Sequence, residues 1–343
     1  MKPMAANFNY PKIKYSCCTP NDGPQDHPIH ELLSFAPDGV GPAAGIGIIQ
    51  NSHFPKEAQR RFVSNQIEGW RGTHWFDMTE KGTNFELKQL AQELIFSEDK
   101  HFRPVAMNFG PDGALYILDF YSPIFENVDF PKRTKGRDHS HGRIWRITYP
   151  SKPLLEYPQF DIETTENLLD LLKTYEAPIR FHARRELQER DTKEIIESLK
   201  RWVLALDRND KNYEQFILEA LWIYEGHHVV NEKLLDQLLE SESDKMRAAA
   251  TDLLRFWLCC LEDSEQLLKK MVNDKNMRVR LEAVIACGYS SSPSAYEIAS
   301  QAANYPMDDG IKHALDHTLS HLKELKPTNI QSLKLTSSKE LLS

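Results

Sequence analysis

Glycine and proline are distributed unevenly along this 343-residue chain, and no other feature constrains its fold as strongly. Residues 1–150 contain 12 of the 15 glycines and 13 of the 19 prolines, and residues 151–343 contain the remaining 3 and 6. Both residues punctuate turns and interrupt helices, so the first part is expected to form short strands and loops and the second long helices. Pro150 and Pro153 place the boundary near residue 150 because X-Pro steps disfavour continued regular structure. The predicted fold class is multidomain, β and then α.

Alanines recur in the second part at a nearly constant spacing. They lie 37, 30, 33 and 31 residues apart, at Ala183, Ala220, Ala250, Ala283 and Ala314. Three of these segments read alike, with an Arg three positions before the Ala: Ile179–Ala183, Met246–Ala250 and Val279–Ala283. A period of 30–40 residues with two helices per unit predicts a helical solenoid, in which each helix pair buries its apolar face against the next. An irregular helical bundle is the alternative.

These segments resemble HEAT repeats of the armadillo type, in which an Arg and a small residue open the second helix. The resemblance covers residues 165–325, after a linker at 151–164 and before a flexible tail at 326–343. Solenoids of this kind commonly bind other proteins, so a protein partner is expected at the helical repeats, although a fold alone establishes no function.

The first part contains a strand–turn–strand unit at residues 104–119. Two apolar runs flank Pro111-Asp112-Gly113, in which Pro presets the turn, Asp bonds its own backbone and Gly takes a positive φ. Another hairpin is predicted from Arg61 to residue 78, and Arg143–Thr148 alternates with the period of a strand. Regularly spaced short strands predict a β-propeller or a sandwich.

Two long stretches, Arg103–Tyr121 and Arg137–Ile147, resemble a bacterial family of membrane-bound dehydrogenases. The segments His53–Gln59 and Leu221–Asn231 resemble further motifs of the same family. In that family a propeller similar to that of glucose/sorbosone dehydrogenases precedes HEAT-like repeats. The resemblance implies a partial propeller over residues 1–150 and an exported parent in the periplasm or cell envelope. Read from Met1, however, the first residues are not expected to form a secretory signal.

About 150 residues provide two to three four-stranded blades, whereas closed propellers need about 4–8. The chain is therefore expected to be the C-terminal part of a dehydrogenase or a shortened relative, with missing blades or a cytochrome on another chain. The resemblance implies oxidation of a sugar or alcohol with pyrroloquinoline quinone and calcium as cofactors. No C-x-x-C-H sequence occurs, so no haem is expected on this chain. The alternative is a non-catalytic interaction scaffold in the cell envelope.

The segment Tyr121–Gly142 lacks an apolar period and is the candidate site loop. Arginine forks bind carboxylates bidentately, so Arg103, Arg137 and Arg143 are the predicted cofactor-binding residues. An ordinary solvated loop is the alternative.

His139 and His141 face the same way if this segment is extended, so their imidazoles can converge on a substrate. His suits the general base of an alcohol dehydrogenase, and Asp138 or Asp119 can orient it. The predicted catalytic residues are His139, His141 and Asp138. The alternative is that the histidines only brace the loop through hydrogen bonds.

Other features exclude several classes of function. The net charge of −8 argues against nucleic-acid binding, and the chain contains no apolar run long enough for a spanning helix. Two cysteine pairs are adjacent, Cys17-Cys18 and Cys259-Cys260, a spacing poorly suited to a disulfide framework, so buried or unreactive thiols are expected. The helical stripe of His313, His317 and His321 could hold a metal through two members, but the apolar face of the same helix turns this stripe toward water.

Overall fold

The structure is a computed structural model that describes residues 43–67, 70–123, 138 and 140–324. The chain divides into two compact units. The sheet unit comprises the described residues up to Met78 together with Leu87–Glu156, and the helical unit comprises Thr79–Glu86 and the described residues from Tyr157 onward. The predicted tail at 326–343 and the first 42 residues lie outside the described part.

The first sheet has five antiparallel strands in the order β1-β2-β3-β4, with β5 paired to β3. Their bounds are β1 Ala43–Ile48, β2 Phe62–Gln66, β3 Gly72–Lys81, β4 Asn84–Gln89 and β5 Ile95–Phe96. The β2–β3 pair confirms the hairpin predicted after Arg61, with Phe62 opposite Phe76 and Ser64 opposite His74.

The second sheet has three antiparallel strands in the order β6-β7-β8: Pro104–Phe109, Leu115–Asp119 and Arg143–Ile147. The turn between β6 and β7 confirms the prediction at Pro111-Asp112-Gly113. Asp112 Oδ1 accepts a hydrogen bond from the Ala114 N–H at 3.1 Å, and Gly113 has a φ of +81°. A side chain at Gly113 would be strained, which explains the Gly at this position.

Alternate residues of β7 point into the core of the sheet unit. Leu115 and Ile117 are fully buried and pack with Ile49, Phe54 and Val63.

Both sheets are open among the described residues, one with five strands and the other with three. The chain therefore has a sheet region followed by a helical region, and the partial propeller stays a prediction.

His53, in one of the segments that resemble the dehydrogenase family, is a buried bracing residue. Its Nδ1 donates a hydrogen bond to the Pro153 carbonyl at 2.8 Å, and its Nε2 accepts one from the Tyr149 N–H at 2.8 Å. Nearby, Lys152 Nζ donates to the carbonyls of Ser52 and Phe54. These bonds attach the end of the sheet unit to its core and hold the imidazole ring in one orientation.

The helical unit contains ten helices among the described residues. They are α1 Thr165–Leu171, α2 Ala177–Glu189, α3 Thr192–Leu204, α4 Tyr213–Gly226, α5 Glu232–Leu239, α6 Asp244–Trp257, α7 Ser264–Val272, α8 Met277–Cys287, α9 Ala295–Ser300 and α10 Asp309–Glu324. Several begin at side-chain caps: Asp191 accepts from the Glu194 N–H before α3, and Asn231 accepts from the Leu234 N–H before α5. Such caps satisfy backbone donors that the first helical turn leaves unpaired.

Successive pairs of helices stack in sequence order. The second helices of the pairs contact one another, α6 with α8 and α8 with α10, and α5 and α7 pack against α6 and α8. All five recurring alanines lie on second helices and are buried: Ala183, Ala220, Ala250, Ala283 and Ala314. Small side chains allow the helices to approach closely, so the alanine spacing reports the repeat.

The arginines of the repeat motif perform one structural task. Arg180, Arg247 and Arg280 each donate from Nη1 to the carbonyls five and six residues earlier, at distances from 2.7 to 3.1 Å. These carbonyls belong to the turn that joins the two helices of a pair. The Arg therefore satisfies buried turn carbonyls and fixes the angle between the helices, which explains its position three residues before the Ala.

Candidate functional site

Asp119, the last residue of β7, is the centre of a polar cluster in the sheet unit. Its side chain is fully buried. Oδ1 accepts hydrogen bonds from the backbone N–H groups of Arg103 at 2.8 Å and Tyr121 at 2.9 Å. Oδ2 accepts from Arg143 Nε at 2.6 Å and Trp145 Nε1 at 2.9 Å.

The strand register produces these contacts. Asp119 lies opposite Arg143 in the β7–β8 pair, and Trp145 follows two residues later on the same face of β8. Burial opposes ionisation of Asp119, but the hydrogen bonds from Trp145, the two backbone N–H groups and Arg143 outweigh it, so the pKa of the carboxyl is lowered. Asp119 is therefore a fixed negative charge at the end of the sheet.

Arg143 connects the buried part of the cluster to the surface. Its Nη1 donates to Asp99 Oδ2 at 2.6 Å, and its guanidinium carbon lies 4.4 Å from the centre of the Tyr121 ring and 5.2 Å from that of Trp145. Its buried Nη2 has no hydrogen-bond partner among the described residues. Burial lowers the pKa of Arg143, but Asp99 and Asp119 more than offset this effect, so the pKa is raised.

Tyr121 has an unusual backbone for a bulky residue, with a φ of +51°. This left-handed conformation costs free energy and persists where its surroundings hold it, as Asp119 does through the Tyr121 N–H. The Tyr121 ring stacks on His101 at 4.8 Å and meets the edge of His141 at 6.3 Å. Two imidazoles and one guanidinium therefore surround this ring.

Each of these histidines has a carboxylate partner. His141 Nδ1 lies 2.6 Å from Asp138 Oδ2, and His101 Nδ1 lies 3.3 Å from Asp99 Oδ1. The pKa of Asp99 is lowered to about 2 by hydrogen bonds from the His101 N–H and from Arg143, and that of Asp138 is lowered by the Ser140 N–H and by His141. The contact with Asp138 uses Nδ1 of His141, so Nε2 is the ring nitrogen that remains for a ligand. The imidazole of His141 is 70% exposed and so is accessible to a ligand.

The structure brings three of the predicted site residues together and gives Asp119 a different partner from the predicted one. Asp138, His141 and Arg143 come together near Tyr121, and the Asp119 side chain bonds Arg143 rather than a histidine. His139 and Arg137 lie outside the described residues, as does most of the predicted site loop, so their roles stay predictions.

Arg103 has a structural role that the sequence did not suggest. It is buried, and its Nη1, Nε and Nη2 donate to the carbonyls of Ile67, Ser122 and Pro123 at 2.7, 3.0 and 3.1 Å. Burial lowers the pKa of its guanidinium. Arg103 therefore braces backbone instead of offering a free cation to a cofactor.

The described residues do not fit the predicted quinone. Its carboxylates need guanidinium groups with free N–H donors. The guanidinium of Arg103 donates to backbone carbonyls instead, and that of Arg143 donates to two aspartates. Among the described residues no group of three or more His, Cys, Asp or Glu side chains could hold a metal ion. Pyrroloquinoline quinone and calcium remain expectations from the resemblance alone.

Sequence reasoning missed four members of the cluster: Asp99, His101, Tyr121 and Trp145. Trp145 was recognisable as a same-face neighbour of Arg143, two residues along a predicted strand. Asp99 and His101 lie in a loop 22 and 20 residues before Tyr121, and only the fold brings His101 to the Tyr121 ring and Asp99 to Arg143.

Comparison with protein families gives two matches. Residues 17–151 match a family described as a domain of unknown function, DUF7133, and residues 231–320 match HEAT repeats. Neither the curated proteins nor the solved structures contain a match. The HEAT match confirms the repeat prediction from α5 to α10, whereas the dehydrogenase family stays a prediction. None of the helices in the described residues is long and apolar enough to span a bilayer.

Proposed function

We propose that the sheet unit binds a sugar or another polyhydroxy alcohol at the Tyr121 cluster. The observation that carries this proposal is the exposed imidazole of His141, which lies 6.3 Å from the Tyr121 ring and is held by its aspartate partner Asp138. Imidazoles bind the hydroxyl groups of sugars through hydrogen bonds. A few convergent polar groups beside aromatic rings are typical of small-molecule sites.

The same geometry supports the dehydrogenase hypothesis at one step. With Nδ1 bonded to Asp138, His141 has Nε2 available to accept the proton of a substrate hydroxyl. The resemblance implies a quinone-type cofactor with calcium that would supply the redox chemistry in the parent enzyme, but the described residues of this cluster do not fit that cofactor. We propose this activity for the whole protein in the periplasm or cell envelope.

Binding and oxidation are separable by experiment. Titration of a sugar and alcohol panel by NMR or calorimetry tests binding, and dye-linked oxidation with added pyrroloquinoline quinone and calcium tests activity. We expect His141→Gln to weaken binding about 5-fold, because one hydrogen bond between neutral groups contributes about 1 kcal/mol. His321→Gln is the matched control on an exposed face of α10. Binding that is absent from the whole panel, or equal in both variants, would contradict the proposal.

A second proposed function concerns the helical unit, which contains HEAT repeats. We propose that it binds a protein with a basic surface. Residues 151–343 contain 33 acidic and 25 basic residues, so this part of the chain carries a net charge of −8. Attraction between exposed charges weakens with salt. Pull-downs from cell-envelope fractions should therefore retain a basic partner at low salt and lose it at high salt, whereas capture that does not change with salt would argue against charge complementarity.

A third proposal concerns the propeller blades that the resemblance implies and that this chain is too short to provide. Leu118 and Ile144 lie opposite each other in the second sheet and expose 46 and 71% of their surface, and Phe120, directly after β7, exposes 55%. An exposed apolar sheet face is typical of a protein interface. We propose that further blades, on the same or another chain, cover it. Leu118→Glu should then prevent association with the product of a neighbouring reading frame.

A further inference from the structure

Two adjacent cysteines in the helical unit have exposed thiols, so of the two expected states, buried or unreactive, burial does not apply to them. Cys259 and Cys260 lie between α6 and α7, and their Sγ atoms are 3.3 Å apart. The Cys260 N–H donates to the Trp257 carbonyl at 2.8 Å. Trp257 and Leu261, on either side, are buried and anchor the turn. The thiol pair is therefore presented to solvent on a fixed support.

A disulfide is an unfavourable product of this pair. Neighbouring Cα atoms are about 3.8 Å apart, which is shorter than the roughly 4.4–6.8 Å that disulfides usually span. The short separation between the sulfur atoms instead suits one ligand that bonds to both.

The sulfur separation also favours one kind of ligand over another. With bonds of about 2.3 Å to each sulfur, as zinc has, a separation of 3.3 Å corresponds to an angle of about 92° at the bound atom. This angle is narrower than the tetrahedral angle that zinc prefers. It suits a pyramidal three-coordinate centre such as trivalent arsenic or antimony, whose bonds lie near right angles.

We propose that Cys259 and Cys260 form a dithiol site for trivalent arsenic or antimony compounds. With an organoarsenic oxide the step is a condensation: two S–H bonds and the arsenic–oxygen bond break, two arsenic–sulfur bonds form, and one water molecule leaves. No electrons are transferred, because arsenic stays trivalent and both sulfurs keep the oxidation state of a thiol. The third bond of arsenic keeps its organic group, so two protein ligands suffice.

Cys287 is an internal contrast to the pair. It is buried in α8, and burial raises the pKa of its thiol to about 12. It has neither solvent access nor an adjacent cysteine, so it should not react with an arsenical. The other adjacent pair, Cys17-Cys18, lies outside the described residues and must be removed from any test.

Phenylarsine oxide is the probe, used on the full chain with Cys17→Ser and Cys18→Ser. Intact-mass spectrometry should show one adduct per chain, with loss of one water, and 1,2-ethanedithiol should reverse it. Adding Cys259→Ser or Cys260→Ser should weaken binding at least 100-fold, because a single thiol cannot chelate. Cys287→Ser should leave binding unchanged. Circular dichroism checks that the Ser variants stay folded.

Several results would overturn the proposal. The parent variant could form no adduct, the adduct could persist after loss of Cys259 or Cys260, or Cys287→Ser could abolish it. Zinc that competes with the arsenical at equal concentration would refute the selection by angle. A mass two units lower in the peptide of residues 256–269 would show that the pair is already a disulfide.

Discussion

Replacing Asp119 by Asn tests whether this carboxylate organises the candidate site. Asn has nearly the same size, and its amide oxygen can keep the hydrogen bonds from the backbone N–H groups of Arg103 and Tyr121. Its amide nitrogen then faces Arg143 Nε and Trp145 Nε1, which are both donors. The variant therefore loses two hydrogen bonds and leaves the charge of Arg143 with Asp99 as its remaining close acidic partner.

The structure gives the expected magnitude in two ways. Two hydrogen bonds to a charged group contribute about 1.5–3 kcal/mol each, or about 3–6 kcal/mol together. Removal of one partner from a buried ion pair costs about 3–5 kcal/mol. Both estimates centre near 4 kcal/mol, which at a urea m-value of about 2 kcal/mol/M lowers the unfolding midpoint of the sheet unit by about 2 M.

Urea unfolding followed by 19F NMR of 5-fluorotryptophan is a suitable assay, because Trp145 bonds directly to Asp119 and reports on the sheet unit. Trp257 reports on the helical unit in the same sample. Asp77→Asn is the matched control, because Asp77 is about half exposed and pairs with Arg61 at the surface. Exposed pairs contribute about 0–1 kcal/mol, so its midpoint should hardly move. A loss below 1 kcal/mol in Asp119→Asn would refute the central role of this carboxylate.

Two further predictions follow from the same contacts. Asp99 has a folded pKa of about 2, below its ordinary value of 3.8, so its contribution to stability is present above pH 4 and lost as the pH falls toward 2. The stability advantage of the wild type over Asp99→Asn should therefore be measurable by thermal unfolding at pH 5 and mostly lost at pH 2, where about half of the folded molecules have a protonated Asp99, and an undiminished advantage at pH 2 would contradict this assignment. Arg247 bonds two turn carbonyls and pairs with Asp274 at 2.8 Å, and both side chains are at least 90% buried. Arg247→Met should destabilise the helical unit by about 3–5 kcal/mol in urea unfolding, whereas the same change at the exposed Arg208 should cost less than about 0.5 kcal/mol.

The helical half is the part of the fold that the sequence reveals most directly. The interval between alanines and the preceding Arg are local signals, because each Arg bonds carbonyls only five or six residues away. A repeat contains the same local sequence pattern several times, so it can be recognised without information about the tertiary structure. The turn at Pro111-Asp112-Gly113 is legible for the same reason, because its conformation depends on four consecutive residues.

The candidate site depends on the tertiary structure instead. The Arg143 partners Asp119 and Asp99 are 24 and 44 residues away along the chain, and the strand register and an intervening loop bring them together. Arg103 and Arg143 look alike in the sequence, yet burial commits the first to backbone carbonyls and leaves the second between two aspartates and the half-buried ring of Tyr121. The sequence by itself determined which residue types are present, and packing decided which of them kept a free hydrogen-bonding group. Contacts between residues distant in the chain produce no periodic pattern in the sequence, so they could not be predicted from it.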